Sequence, residues 1–377
     1  MFKLFAVCGP GLENILSLEL QSLGLLEQDT TSNPIITGGV LFQGDQETIY
    51  RSNLWLRSAN RVLVRLGEFN AKAFSELRKK ASRLEWEQYL SPGHPIEIKV
   101  TCHKSRLYHQ GAVAERVAGA IIDRLGKQSV IRNSDQTGET QLILVRIVRD
   151  HCTISIDSSG ELLHRRGYRL ATSKAPLRET LAAAILYASN WNPTSTLLDP
   201  FCGSGTITIE ASLLARNIPP GQKRDFSFMK WKNYDSGLWQ RLLEESKQQR
   251  KENSPIILAS DRNAGAINIA KANAERAGVA ADIDFSHRSL SAIEPKGQGS
   301  VVTNPPYGYR VSSNKDLRNL YAQFGNVMRS KCPGWQIALL CNDQKLINHT
   351  GLNLERSMTL DNGGIKVKLA QGIVSNG

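Results

Sequence analysis

The chain has 377 residues, of which 41% are hydrophobic and 22% charged, so a buried core is possible and wholesale disorder is excluded. No apolar run reaches the roughly 18–20 residues of a membrane span, which excludes an integral membrane protein. The net charge is +12, from 47 basic and 35 acidic residues. The first 170 residues hold 22 basic and 18 acidic groups, so the excess is spread along the chain. This charge favours a nucleic acid over a membrane as partner, although a merely soluble basic protein would have it too.

The six cysteines lack the spacing of a metal site or a redox motif. They are Cys8, Cys102, Cys152, Cys202, Cys332 and Cys341, and none forms a C-x-x-C pair. We expect reduced thiols in a cytoplasmic protein that holds no metal. The apolar opening, Leu4 to Cys8, is too short for a signal peptide and predicts a first strand instead.

Residues 1–58 predict a small α+β unit. Apolar periodicity indicates, in order, a strand at 3–8, a helix at 12–20, strand-like segments within 34–43 and a helix at 45–57.

Residues 59–158 predict a second α+β unit with basic segments. The expected elements are a strand at 61–66, a basic helix, a strand at 96–102, a loop at 103–109, a helix at 113–125 and a hairpin of 141–148 with 151–157. The basic helix and the loop supply candidate RNA-binding residues, which are Arg78, Lys79, Lys80, Arg83, Lys104 and Arg106.

Residues 159–172 predict a polar linker. Arg165 and Arg166 within it are candidates for contact with a phosphate backbone, and a plain surface connector is the alternative.

Residues 173–377 alternate between helices and apolar strands. Strands are expected at 196–199, 256–260, 300–303, 336–341 and 365–370, with helices at 176–187, 206–216, 264–277 and 317–330 between them. Residues 217–254 interrupt this rhythm as a polar insertion. The alternation predicts a parallel, doubly wound α/β sheet.

The first motif of this half is Asp199-Pro-Phe-Cys-Gly-Ser-Gly205, which follows a short strand and precedes a helix. Ligands of doubly wound folds bind outside the carboxyl ends of the strands, where glycines let the backbone approach them. The full G-x-G-x-x-G is absent because residue 208 is threonine, and a tight structural turn is the alternative.

The next strand ends at Asp261, whose carboxylate can accept hydrogen bonds from both hydroxyls of a ribose. The alternative is a cap of the helix at 264–277.

The third motif, Asn304-Pro-Pro-Tyr307, directly follows a Val-Val strand. Two prolines hold the backbone extended, which fixes the Asn304 side-chain oxygen and the Pro305 carbonyl in space. Two such acceptors can hold a planar exocyclic NH₂ group, and Tyr307 supplies an aromatic face for a base. An ordinary Asn-Pro turn is the alternative.

Together these motifs resemble the class I S-adenosylmethionine-dependent methyltransferases that act on amino groups. Segments 174–186, 199–212, 260–279 and 304–310 are similar to the THUMP-containing RNA guanine-N2 methyltransferases. The resemblance implies a ferredoxin-like domain at 1–58, a THUMP RNA-binding domain at 59–158 and a Rossmann-like methyltransferase domain at 173–377.

The resemblance also implies residue roles. The donor would be bound by Asp199, Phe201, Gly203, Ser204, Gly205, Asp261, Arg262 and Asn304, and covered by Lys174, Ala175, Pro176 and Leu177. Asn304, Pro305, Pro306 and Tyr307 would hold the target base. The family often has an acid for the adenine amine in the segment 286–293, and this chain has none there. We expect the backbone, Ser289 or Ser291 to serve instead.

We therefore expect a cytoplasmic enzyme, monomeric or weakly dimeric, that methylates the N2 amine of a guanine in structured RNA, foremost 23S rRNA. A tRNA substrate, a DNA adenine-N6 methyltransferase and a catalytically inactive RNA-binding protein are the alternatives.

Overall fold

Two seven-stranded sheets organise the chain. The computed structural model describes residues 1–27, 34–131, 140–169, 177–307 and 314–375. The first sheet has the order β2-β3-β1-β4-β7-β6-β5. Its strands are β1 (Phe2–Val7), β2 (Ile35–Ile36), β3 (Gly39–Gly44), β4 (Arg61–Asn70), β5 (Ile96–His103), β6 (Gln141–Val148) and β7 (His151–Asp157).

Strand β4 joins the two N-terminal units in one sheet. It pairs antiparallel with β1 on one side and with β7 on the other. Helices α1 (Glu13–Ser22) and α2 (Gln46–Trp55) belong to the first unit, and α3 (Phe74–Ala81) and α4 (Gln110–Leu125) to the second. The two N-terminal units therefore share backbone hydrogen bonds. The domain boundary predicted at residue 58 remains a proposal.

The second sheet carries the C-terminal half, in the order β10-β9-β8-β11-β12-β14-β13. Its strands are β8 (Thr196–Asp199), β9 (Ile257–Asp261), β10 (Ile283–His287), β11 (Gly299–Thr303), β12 (Gln336–Cys341), β13 (Glu355–Asn362) and β14 (Ile365–Ile373). The first five are parallel, whereas β14 and β13 are antiparallel additions at one edge.

The parallel, doubly wound sheet predicted from the sequence is thus confirmed, although strand β10 was not predicted and the strand expected at 365–370 runs antiparallel. The helices of this half are α5 (Glu179–Ala188), α6 (Thr206–Ala215), α7 (Ser236–Gln248), α8 (Ala264–Ala277), α9 (Asn314–Lys331) and α10 (Gln344–His349). Helix α8 starts where the Asn263 side chain accepts hydrogen bonds from Gly265 and Ala266, and it ends at the left-handed Gly278.

The segment 217–254, expected to be a polar insertion, packs against the N-terminal units and so connects the two halves of the molecule. It contains α7, and Trp231 and Trp239 are 5% and 4% exposed. The Phe228 ring stacks on Tyr50 of α2 at 4.3 Å between centroids, and Trp231 Nε1 donates to Gln141 Oε1 over 3.0 Å. Burial of these rings against the N-terminal units is one of the contacts that join the two halves.

None of the helices in the described part of the chain is long and apolar enough to span a bilayer.

Candidate active site

Three neighbouring parallel strands end together at the switch point of the second sheet. Strand β8 lies between β9 and β11, so the chain leaves it on one side and later returns on the other. Asp199, Asp261 and Thr303 are the last residues of these strands. In open α/β sheets this crevice is where ligands bind, because the strand ends diverge there.

Asp199 is buried and holds the strand ends together. Its Oδ1 accepts hydrogen bonds from the Thr303 hydroxyl over 2.6 Å and from the Phe201 N–H over 3.1 Å. Burial raises the pKa of this carboxyl from 3.8 to about 7, and the nearby Asp261 charge adds to the increase. The Asp199 carboxyl therefore titrates near neutral pH and is poised to respond to a positively charged ligand.

The Asp261 carboxylate is held in place by the backbone. Oδ2 accepts from the Gly203 N–H over 3.1 Å and Oδ1 from the Asn263 N–H over 2.9 Å. Each oxygen has a further lone pair for a ligand, so the carboxylate is oriented and still able to accept two hydroxyl groups. The alternative derived from the sequence, a cap for α8, is wrong, because Asn263 caps that helix.

The turn between β8 and α6 depends on Gly205. This residue has φ +81° as the N-cap of α6, and a Cβ atom there would lie 3.1 Å from the Ala270 Cβ. Gly205 thus lets α6 and α8 approach each other behind the site. The Asn273 amide of α8 donates to the Ser204 carbonyl over 3.0 Å and fixes the same turn.

Asn304 contributes an unsatisfied acceptor. Its side-chain Oδ1 is buried and has no hydrogen-bond partner among the described residues. Such a group costs roughly 1–3 kcal/mol when it stays unpaired, and because Asn304 also lines the cleft, a ligand donor can reach its oxygen. The following Pro306 carbonyl lies 3.4 Å from the Tyr321 hydroxyl of α9.

These residues enclose a cleft of about 360 Å³. Of the residues predicted from the sequence to bind donor or base, those that line it are Leu177, Asp199, Phe201, Gly203, Ser204, Asp261, Arg262, Ser289, Asn304 and Pro306. Gly205 and Pro305 lie outside the lining. Lys174, Ala175 and Pro176 fall outside the residues that the structure describes.

The lining also includes residues that the sequence analysis did not select. They are Pro200, Cys202, Thr206, Ile207, Leu290, Leu320 and Gln323. Pro200 and Cys202 lie within the Asp199–Gly205 motif. Thr206 and Ile207 directly follow it, so extending the motif by two residues would have included them. Leu320 and Gln323 come from α9, and only the packing of that helix brings them to the cleft. Ser291 does not line the cleft, although its hydroxyl lies 3.1 Å from that of Ser289.

Tyr307 does not present the open aromatic face that the sequence suggested. Its side chain is 1% exposed, and its hydroxyl accepts a hydrogen bond of 3.0 Å from Asn362 Nδ2 at the end of β13. The expectation that a base stacks on this ring is wrong for this structure, because the ring is packed in the core and its hydroxyl is engaged.

Cys202 is unsuited to nucleophilic catalysis. Burial raises the pKa of its thiol well above 9.0, and the Asp199 and Asp261 charges raise it further. A thiol held in its neutral form is a poor nucleophile, so the cleft offers no activated cysteine at this position.

The basic residues predicted to contact RNA differ in accessibility. Lys79, Arg83, Lys104, Arg106 and Arg165 are exposed. Arg78 pairs with Asp123 and Lys80 with Glu76 at the surface, at 2.7 and 2.6 Å.

The prediction for Arg166 is wrong. Its side chain is 1% exposed, with Nε 3.1 Å from Glu210 Oε1 and Nη2 donating to the Arg57 carbonyl over 2.8 Å. Arg166 is a buried connection between the halves because α6 supplies a carboxylate that the local sequence does not reveal.

Three protein-family models match consecutive parts of the chain. They describe the RlmL ferredoxin-like domain at residues 3–63, the THUMP domain at 71–157 and the RMKL-like methyltransferase domain at 166–371.

Individual proteins are similar over nearly the whole chain. The "Ribosomal RNA large subunit methyltransferase K/L" of Syntrophotalea carbinolica is 36% identical over 97% of this chain, which spans about half (53%) of that relative. The structure of SMU.472 in complex with SAH has a TM-score of 0.86 and 33% identity and covers 98% of this chain and 97% of its own. A Listeria monocytogenes structure, named for an inferred N6-adenine-specific DNA methylase, has a TM-score of 0.86 and 34% identity, with coverage of 98% and 95%.

Proposed function

Because this chain belongs to the RMKL-like methyltransferase family, we propose that it methylates the exocyclic N2 amine of a guanine in 23S rRNA. S-adenosylmethionine is the methyl donor. The guanine and the ribosomal RNA are our inference from the family resemblance, the THUMP match and the net charge of +12. An rRNA substrate would place the protein in the cytoplasm.

The residues of the cleft fit the donor. Asp261 presents an oriented carboxylate for the two ribose hydroxyls, and Ser289 and Leu290 line the same cleft and would contact adenine. Asp199, at the bottom of the cleft, would attract the positive charge of the donor once the carboxyl is ionised. When bound, the donor supplies an electrophilic methyl group on a sulfonium.

The single observation that carries the proposed acceptor is the unpaired Asn304 oxygen. It would accept one N–H of the amine, with the Pro305 carbonyl accepting the other, and direct the nitrogen toward the donor. Orientation of this kind can lower the activation barrier by several kcal/mol. The amine would pass its proton to water or to Asn304 during or after attack, since the neighbouring acids are engaged by Thr303 and by backbone N–H groups.

The test is a methylation assay with S-adenosylmethionine labelled on its methyl group. The full-length protein is incubated separately with unmodified 23S rRNA, tRNA and duplex DNA, and the nucleosides are identified by mass spectrometry. We expect N2-methylguanosine in 23S rRNA alone. Label only in N6-methyladenine of DNA would overturn the proposal in favour of the second candidate, which the name of the Listeria relative suggests.

A further inference from the structure

One end of the first sheet carries residues 103–109 and 149–151, which we call the sheet-end surface. His103 ends β5 and Val148 ends β6, and the two are partners in the parallel register. The loop after β5 and the β6–β7 turn therefore lie side by side. The Arg149 N–H donates to the His103 carbonyl over 3.1 Å, and the Ser105 hydroxyl donates to the same carbonyl over 2.9 Å.

The two segments are locked by further hydrogen bonds. Asp150 Oδ1 accepts from the Arg106 N–H over 2.7 Å, and the Asp150 N–H donates to the Ser105 hydroxyl over 3.1 Å. Asp150 is the only acid of the two segments, and its carboxylate is used by the loop backbone. The exposed side chains of Lys104, Arg106 and Arg149 can therefore bind an anion.

The sheet-end surface carries exposed cations and an exposed pair of rings. Lys104, Arg106 and Arg149 are exposed, and none of them joins an ion pair with another described residue. Tyr108 is 66% exposed and is the only aromatic residue among the large exposed hydrophobic side chains of the described chain. Its ring lies 4.2 Å from the His109 ring between centroids, at 36°.

Three residues of this surface have a left-handed backbone conformation. Lys104, Arg149 and Asp150 have φ of +47°, +51° and +65°. A two-residue hairpin turn with both φ positive favours Asn-Gly, and arginine is costly in that conformation. Backbone strain of this kind is enriched at functional sites, so it supports a binding role for these residues.

We propose that the sheet-end surface binds an unpaired nucleotide of the RNA, with its base stacked on Tyr108 and neighbouring phosphates held by Lys104, Arg106 and Arg149. This inference rests on the RNA substrate proposed above. An A-form duplex covers the faces of its internal base pairs, so away from the duplex ends only an unpaired base can meet an exposed ring. The surface would thus select a junction between paired and unpaired RNA.

The experiment measures binding of the full-length protein to two RNA hairpins by fluorescence anisotropy. One hairpin has a single-stranded tail that contains 2-aminopurine, and the other has the same stem with a blunt end. The variants are Tyr108→Leu, Tyr108→Phe, Arg149→Asn and, as a matched control with equal exposure (66%), Leu18→Gln on α1. SAH binding of every variant reports that the fold is intact.

We expect Tyr108→Leu to weaken binding of the tailed hairpin about 5- to 150-fold and to abolish quenching of 2-aminopurine. Tyr108→Phe and Leu18→Gln should bind as the wild type does. Arg149→Asn should lower the log–log salt slope by about 0.7–0.9 without lowering the thermal midpoint, because asparagine tolerates positive φ.

Equal affinity of Tyr108→Leu and wild type for the tailed hairpin would overturn the stacking site. Equal losses on the tailed and blunt hairpins would also overturn it, because the base that Tyr108 contacts would then not be in the single-stranded tail. If the wild-type protein bound neither hairpin at low salt, the RNA substrate itself would be refuted, and the two failures are therefore distinguishable.

Discussion

At the scale of single residues, two side chains distinguish the cleft. Asn304 has an unpaired buried oxygen, and Asp199 has a carboxyl whose pKa burial raises to about 7. An unpaired buried oxygen and a perturbed carboxyl in one cleft are features that functional sites share.

Asn304→Ala should slow methyl transfer at least a hundredfold while SAH affinity stays nearly unchanged. Its oxygen is expected to orient the amine, and two orders of magnitude correspond to about 2.7 kcal/mol of barrier. The measurement is a single-turnover rate on 23S rRNA with saturating donor. Turnover near the wild-type rate would mean that the Asn304 motif is only a rigid turn.

Affinity for S-adenosylmethionine should rise between about pH 6 and 8 and then level off. The Asp199 carboxyl of the free protein is protonated below a pKa of about 7, and only the ionised form attracts the positive donor. Calorimetry at several pH values tests this, with Asp199→Asn as the control in which the rise disappears. An identical pH profile in the variant would assign the dependence to another group.

The raised pKa of Asp199 makes the protein less stable as the pH rises from about 4 to 7. Since the folded pKa lies above the unfolded value of 3.8, the native state binds more protons between about pH 4 and 7. The contribution of Asp199 to the free energy of unfolding is thus largest at low pH and is lost as pH rises toward 7.

At the scale of elements, the β13–β14 hairpin supports the Asn304–Tyr307 motif from an unexpected direction. Asn362 ends β13 and donates to the Tyr307 hydroxyl, with both side chains buried. The hairpin itself packs against the N-terminal unit, where a Cβ on Gly11 would lie 2.3 Å from the Thr359 carbonyl oxygen.

Tyr307→Phe should destabilise the protein by about 1–3 kcal/mol, because the buried Asn362 amide loses its acceptor. The double variant Tyr307→Phe/Asn362→Leu should recover most of that loss, since both polar partners are replaced by apolar groups. Denaturant unfolding of the single and double variants measures the coupling. Additive effects would show that the hydrogen bond contributes nothing to folding.

At the scale of the whole molecule, buried polar contacts bind the connector to both halves. Arg166 joins Glu210 of α6 and the Arg57 carbonyl, while the neighbouring Arg165 forms an exposed pair with Glu161. Two consecutive arginines therefore have opposite roles.

Arg166→Ala should cost about 3–5 kcal/mol of stability, because it leaves the buried Glu210 without its cation. Arg165→Ala should cost less than about 1 kcal/mol, as for other exposed ion pairs. The measurement is the midpoint of thermal unfolding of each variant and of the wild type. Similar midpoints for both would contradict the buried pair.

The sequence alone was sufficient where the signal is local. The strand-end positions of Asp199, Asp261 and Asn304 follow from short apolar runs that stop at polar residues, and the parallel sheet follows from alternating elements. The carboxyl ends of parallel strands share one edge, so a cleft formed by these residues could be predicted without coordinates.

Other features depended on partners distant in the chain. The strand β13 (Glu355–Asn362) has only two apolar residues, Met358 and Leu360, too few to predict a strand, and its pairing with β14 is a tertiary contact. Arg166 looks like a surface cation until Glu210 is placed beside it, and the Tyr307 ring looks available until Asn362, 55 positions later, binds its hydroxyl. Burial and hydrogen-bond partners are properties of packing, and only the tertiary structure decides them because the contacting groups come from separate elements.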